Sequence, residues 1–138
     1  MITANNENEK AYLKFFETLS SGDLEKIRAA FHDEAVWQVQ VKGILGEGSH
    51  IGKKAIVDDF LAPVRGMFKP GDPKLNITSV ASQGALVIGE IEARGTFADE
   101  RPYENLYVFA LEFKDGKVYR LREYMDSLYV AKLQGLAR

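Results

Sequence analysis

The sequence contains no cysteine, which removes disulfides, thiolate nucleophiles and cysteine-ligated zinc or iron–sulfur centres together. No run of about eighteen apolar residues occurs, so no membrane-spanning helix is expected. The two histidines, His32 and His50, are isolated and have no second histidine at ligand spacing, so no metal site is expected. The glycines at Gly43, Gly46, Gly48 and Gly52 lead to no Gly-Lys-Ser/Thr, which argues against a phosphate-cradling loop and a nucleotide cofactor. An excess of one charge is missing too. Eighteen Lys and Arg against 20 Asp and Glu leave a net charge of −2, with no long-range pull toward nucleic acid or an anionic membrane. Nor do basic and aromatic residues interleave as in a nucleic-acid surface. The opening segment, Met1 to Lys10, is too polar for a signal peptide, and the cytoplasm is the expected compartment.

What is present is ordinary globular composition, with 46% hydrophobic residues in a chain of 138. That is enough for one domain, 1–138, with a core of its own. Tyr12, Phe15, Phe16 and Leu19 recur at helical spacing behind an Asn6…Glu9 capping signal. Ser20-Ser21-Gly22 ends that helix, and Asp23 caps a second that carries Leu24, Ile27 and Phe31. Ala35–Val41 alternates as a strand. A glycine-rich loop from Gly43 to Gly52 leads to a third helix with Ile56, Val57, Phe60 and Leu61, which Pro63 should kink or end. Beyond the Pro70-Gly71-Asp72-Pro73 turn, strands are expected at about 75–81, 86–97, 103–113 and 118–126. The intervening breaks suit antiparallel connections. Helices first and a long antiparallel sheet afterwards imply an α+β domain, a curved sheet wrapped by three N-terminal helices into a cone with an internal pocket.

Strand alternation isolates one acid. In Val118–Asp126, Glu123 shares a face with Tyr119, Leu121 and Met125. A carboxyl among apolar neighbours is paired, neutral or functional. The functional reading is a general acid or base in an apolar pocket; the alternative is a structural acid paired with an arginine or tyrosine of a neighbouring strand. Glu90 and Glu92 lie two apart on one face with Arg94 and Thr96. They are candidates for a coupled proton shuttle, or simply part of a solvated sheet face. Trp37 shares a face with Val39 and Val41 as core or pocket wall, its indole N–H able to orient a ligand. Asn105 and Tyr107, on one face with Phe109, could line the same pocket. The candidate set is therefore Glu123, Glu90 and Glu92 as catalytic, with Trp37, Val39, Asn105, Tyr107, Leu121 and Met125 as substrate-binding.

Ser21-Gly22-Asp23-Leu24, Phe31–Trp37, Tyr103-Glu104-Asn105 and Asp115–Val118 with Arg122–Asp126, in this order of elements, resemble the SnoaL-like, ketosteroid isomerase-related proteins. These belong to the cone-shaped superfamily that includes limonene-1,2-epoxide hydrolase and the nuclear transport factor. The resemblance covers nearly the whole chain and specifies fold better than reaction. It places Glu123 where the epoxide hydrolases keep an acid on the last strand. Their Arg-x-Asp pair falls on Glu90-Ile91-Glu92, and their water-positioning Tyr and Asn fall on Trp37 and Val39. The tyrosine and aspartate of the ketosteroid isomerases fall approximately on Phe15 and Val39. The resemblance thus implies a branch such as the polyketide cyclases, and a homodimer formed through the outer sheet face.

Two functions follow as expectations. The first is an enzyme without metal or organic cofactor, in which Glu123 moves a proton on an apolar cyclic or carbonyl metabolite. Aldol-type cyclisation, isomerisation, dehydration and hydrolysis all fit. The second is a non-catalytic module of the same fold that holds an apolar ligand or serves as a dimerisation unit. A weaker reading is a protein-interaction role like that of the transport factor, which demands an exposed apolar patch. An open cavity with Glu123 facing it and no arginine partner favours the enzyme.

Overall fold

A computed structural model of the chain describes residues 2–137. Helix α1 (Glu7–Ser21) starts where the Asn6 side chain accepts from the Glu9 N–H at 2.8 Å, and Glu9 reaches back to the Asn5 N–H at 3.1 Å. This reciprocal cap satisfies donors the first turn leaves unpaired. Gly22 ends the helix in the left-handed region, φ 71°, where a side chain would be strained. Tyr12, Phe15, Phe16 and Leu19 are buried along one stripe, each large side chain contributing about 1.5–3 kcal/mol. Helix α2 (Leu24–Ala30) is capped by Asp23, which accepts from the Lys26 N–H at 3.2 Å.

Strand β1 (Phe31–Val39) begins directly after α2, so Phe31 enters the core from a strand rather than from the helix. The glycine-rich stretch expected as loop contains a short strand, β2 (Gly48–Ile51), paired antiparallel with Val36–Val39. It supplies partners to backbone groups that an open β1 edge would leave unpaired. Lys54–Leu61 is π-helical, the Ala62 N–H reaching back to the Val57 carbonyl, and continues as helix α3 (Ala62–Gly66). Pro63, which has no N–H to donate, sits where the π-helical turn gives way to α3, so the helix changes its winding there instead of ending.

Strands β3 (Lys74–Gln83), β4 (Leu86–Thr96), β5 (Pro102–Lys114) and β6 (Lys117–Met125) form an antiparallel meander. β6 then pairs in parallel with β1, giving one unclosed six-stranded sheet in the order β2-β1-β6-β5-β4-β3. The bulges that bend it are visible in the register. Between Glu112↔Arg120 and Phe113↔Val118, β6 carries one extra residue, Tyr119. That changes which side chains face inward. Val118 and Leu121 are buried, whereas Tyr119 packs at the edge against His32 and under the Arg120 guanidinium. Tyr119 therefore does not share the face of Glu123, because simple alternation fails across a bulge.

A fourth helix, α4 (Ser127–Leu133), follows β6, capped by Asp126 accepting from the Tyr129 N–H at 3.2 Å. The helices cover one face of the sheet. The other carries Ile88, Leu106, Val108 and Tyr124, all exposed. No helix among the described residues is long and apolar enough to cross a membrane.

Candidate functional site

Cross-strand neighbours project to the same face, so the register locates the site. Val39, Glu123, Phe109 and Gly89 form one row across β1, β6, β5 and β4. The next row outward holds Met125, Tyr107 and Ile91, and the one inward Trp37, Leu121, Leu111 and Val87. Gly89 is small for a reason. A Cβ there would lie 2.7 Å from the Tyr12 hydroxyl and from the Ser79 carbonyl oxygen. Tyr12 occupies that space and donates to the Phe109 carbonyl at 2.9 Å.

Glu123 is 7% exposed. Its Oε1 accepts from Trp37 Nε1 at 2.7 Å, and Trp37 is itself buried. Among the described residues no cation pairs with this carboxyl. Arg122 is held by Glu112 at 3.1 Å, and Arg120 donates to the carbonyls of Glu34 and Tyr119. No fully buried side-chain oxygen or nitrogen among these residues lacks a partner. Oε2, which accepts no protein hydrogen bond, is therefore the oxygen open to the adjoining cavity. Desolvation raises the carboxyl to about 7, outweighing the single bond from Trp37, which pulls the other way.

The cavity has a volume of about 330 Å³, at the lower end of ligand-sized pockets. Val39, Phe60, Phe68, Phe97, Tyr107 and Met125 form much of its wall, and Val130 and Leu133 of α4 close one side. Phe68 and Phe97 stack at 4.5 Å, with Tyr103 edge-on to both. Tyr103 and Tyr107 also line it, their hydroxyls hydrogen-bonded to each other, with Asn105 Nδ2 donating to Tyr103 at 3.1 Å. Burial raises both phenols, and the charge of Glu123 adds to the rise. At the cavity's edge the chain just past α4 meets the loop before β2. There the Gln134 side chain accepts from the Leu45 N–H at 2.9 Å, and Arg101 donates to the Leu133 carbonyl at 3.2 Å. Among the described residues no three His, Asp or Glu side chains converge as a metal-binding set.

The structure brings Glu123, Val39, Tyr107 and Met125 together on the cavity wall. Trp37 stands behind Glu123 as its donor, and Asn105 stands behind Tyr103. Leu121, fully buried, is core beneath them. Glu90 and Glu92 lie elsewhere. Glu90 pairs with Val108, which pairs with Tyr124, so both acids belong to the outer face, in a groove with Thr78, Leu106 and Tyr124. Glu90 there accepts from Ser79 Oγ at 2.8 Å. The sheet separates them from Glu123 because β4 keeps its alternation through this segment. The sequence reading passed over Tyr103, which shares the parity of Asn105 and Tyr107. It also missed Val130 and Leu133, which the Asp126 cap and their three-residue spacing signal.

No curated protein matches the chain in sequence. Solved structures that resemble it include an NTF2-like protein of unknown function from Burkholderia pseudomallei, 18% identical, TM-score 0.78, covering 91% of this chain and 95% of that one. TerC, co-crystallised with polyporic acid, is 22% identical with TM-score 0.76, covering 94% and 96%. A Catenulispora acidiphila protein with a ketosteroid isomerase-like fold, in complex with trimethylamine, is 12% identical with TM-score 0.75, covering 92% and 93%. At these identities the likeness establishes the cone fold alone. The model of the SnoaL-like domain matches residues 12–121, and the chain belongs to that family.

Proposed function

We propose that the protein is a cofactor-independent enzyme that moves a proton on a compact apolar carbonyl compound, with Glu123 as general acid and base. One observation carries this reading: a carboxyl raised to about 7, half-bonded to Trp37, with its other oxygen facing an apolar cavity. A base whose pKa lies near the working pH combines available carboxylate with useful basicity. Apolar walls bind the ligand's carbon skeleton, and the same walls desolvate the acid. Glu123 takes a proton from the carbon next to the carbonyl, the electron pair moves to the oxygen as an enolate, and the protonated carboxyl returns a proton to carbon. Isomerisation, dehydration and aldol-type cyclisation, as in polyketide cyclases, share that first step. The epoxide-hydrolysis reading is weaker, because Glu90 and Glu92 stand on the other face of the sheet from Glu123.

The test needs no natural substrate. Exchange of α-protons for deuterium in bicyclic ketones such as 1-tetralone, followed by NMR in D₂O, reads out enolisation directly. Wild-type protein accelerates exchange and Glu123→Gln does not. Bound ketone without accelerated exchange would instead identify a hydrophobic-ligand-binding module of the same fold.

A homodimer in the cytoplasm belongs to the same proposal. The exposed Ile88, Leu106, Val108 and Tyr124 form an apolar strip on the outer face, suited to a second copy. Light scattering on Leu106→Asp should report a monomer where the wild type is dimeric.

A further inference from the structure

We infer that Tyr103 and Tyr107 act as one hydrogen-bond donor to a ligand oxygen, so that the cavity selects one- or two-ring molecules bearing a carbonyl. This rests on the reading of the cavity as the ligand site and adds to it the group that holds the oxygen.

The inference comes from counting protons. Two phenols carry two O–H protons, and the bond between them uses one, whichever oxygen donates. Asn105 presents a donor, not an acceptor, to the phenol pair. Its Oδ1 accepts from the Leu106 N–H at 2.8 Å, which fixes the amide orientation, and its Nδ2 donates to the Tyr103 oxygen at 3.1 Å. If Tyr107 donates to Tyr103, the Tyr103 proton is left over; if Tyr103 donates, the Tyr107 proton is. No other acceptor for either hydroxyl occurs among the described residues, and both phenols line the cavity. One phenolic proton is therefore always available to an occupant. Burial keeps both phenols protonated, as a donor requires.

Size narrows the class. An apolar cavity of about 150 Å³ holds one benzene ring, so about 330 Å³ accommodates roughly two. With Glu123 on the same wall, the ligand that fits is a compact ring system whose carbonyl oxygen meets the phenol pair and whose adjacent carbon lies toward the carboxyl.

The count makes an unusual prediction about variants. Tyr103→Phe leaves the Tyr107 proton free, and Tyr107→Phe leaves the Tyr103 proton free, so either single change keeps a donor. Only the double change Tyr103→Phe/Tyr107→Phe removes it. The probes are 1-tetralone and its hydrocarbon counterpart tetralin, measured by calorimetry, with the tetralone carbonyl stretch read by infrared difference spectroscopy. The wild type and both single variants should show a lowered stretch and tetralone affinities within about threefold of one another. The double variant should lose about tenfold in tetralone affinity, with the stretch moving to its apolar-solvent position. Unchanged tetralin binding reports an intact cavity. A double variant that keeps both the affinity and the lowered stretch overturns the inference and leaves the proposed reaction standing. So does a single variant that abolishes the shift. Failure of both compounds to bind wild-type protein overturns the cavity reading and this inference together. Binding with a lowered stretch but no deuterium exchange upholds the inference and removes the reaction.

Discussion

Two glutamates in this protein are almost equally covered by their neighbours, yet they are pushed in opposite directions. Glu9, 4% exposed, lies at the rim where α1 meets the turn end of β3. Its carboxylate accepts from Ser82 Oγ at 2.5 Å, from the Asn5 N–H and from Asn6 Nδ2, and these bonds, led by that from Ser82, lower its pKa. Glu123, 7% exposed, lies deep and accepts one side-chain bond, and desolvation raises its pKa to about 7. Three bonds to the Glu9 carboxylate outweigh the cost of covering it, whereas the single bond to Glu123 does not. Coverage alone thus decides nothing. The number of donors aimed at the charged form separates a structural acid from a reactive one.

The largest effect that sharpens this contrast is on catalysis. Glu123→Gln keeps the shape and the acceptor for Trp37 but removes the titrating proton. α-Proton exchange should fall by about 10²- to 10⁴-fold, as measured by deuterium incorporation.

Next comes stability, where the two acids have opposite signs. Glu123 titrates at about 7 in the fold against 4.5 as a free side chain. The folded state therefore binds more protons between those values, and stability falls as pH rises through that window. The gap corresponds to about 3 kcal/mol. Glu123→Gln should accordingly be more stable than wild type by about that much at pH 8 in urea melts, with the advantage disappearing below pH 4.5. Glu9 behaves oppositely: its lowered pKa gives stability present above 4.5 and lost as pH falls through its folded value.

The donor that Glu123 does have should be worth less. Trp37→Phe removes the one bond that favours the charged carboxylate, so the rising limb of the exchange profile should move up by about one pH unit. A profile that stays in place would show that Trp37 positions the carboxyl without tuning it. The smallest expected effect is Glu9→Gln, which should lower the melting temperature at pH 7 and leave the exchange profile where it was. A shift of that profile would break the separation between the two sites.

The sequence made this contrast half visible. Alternation on β6 singled out Glu123 as an acid among apolar residues, and the Asn6…Glu9 spacing marked Glu9 as part of a cap. The α+β cone followed from helical periodicity before the sheet and turn chemistry within it. The rest was hidden for physical reasons. Tyr119 was misplaced because a bulge adds a residue without a sequence signature, and β2 went unseen because Gly48–Ile51 has almost no burial pattern of its own. Glu90 and Glu92 read as a carboxylate pair on one face, but which face is set by register against β5, a long-range property. Trp37 as the donor to Glu123 joins residues 86 apart in the chain, and only the parallel pairing of β1 with β6 brings them together.

The most direct test is a carboxyl-carbon NMR titration of protein labelled with ¹³C at the glutamate side chains, with Glu123→Gln and Glu9→Gln assigning the two resonances. The predicted result is one glutamate titrating near pH 7, absent from Glu123→Gln, and another titrating below 4.5, absent from Glu9→Gln. Glu123 titrating between 4 and 5 would contradict the account. A carboxyl that ionises normally is neither desolvated by the cavity nor poised to move a proton at neutral pH.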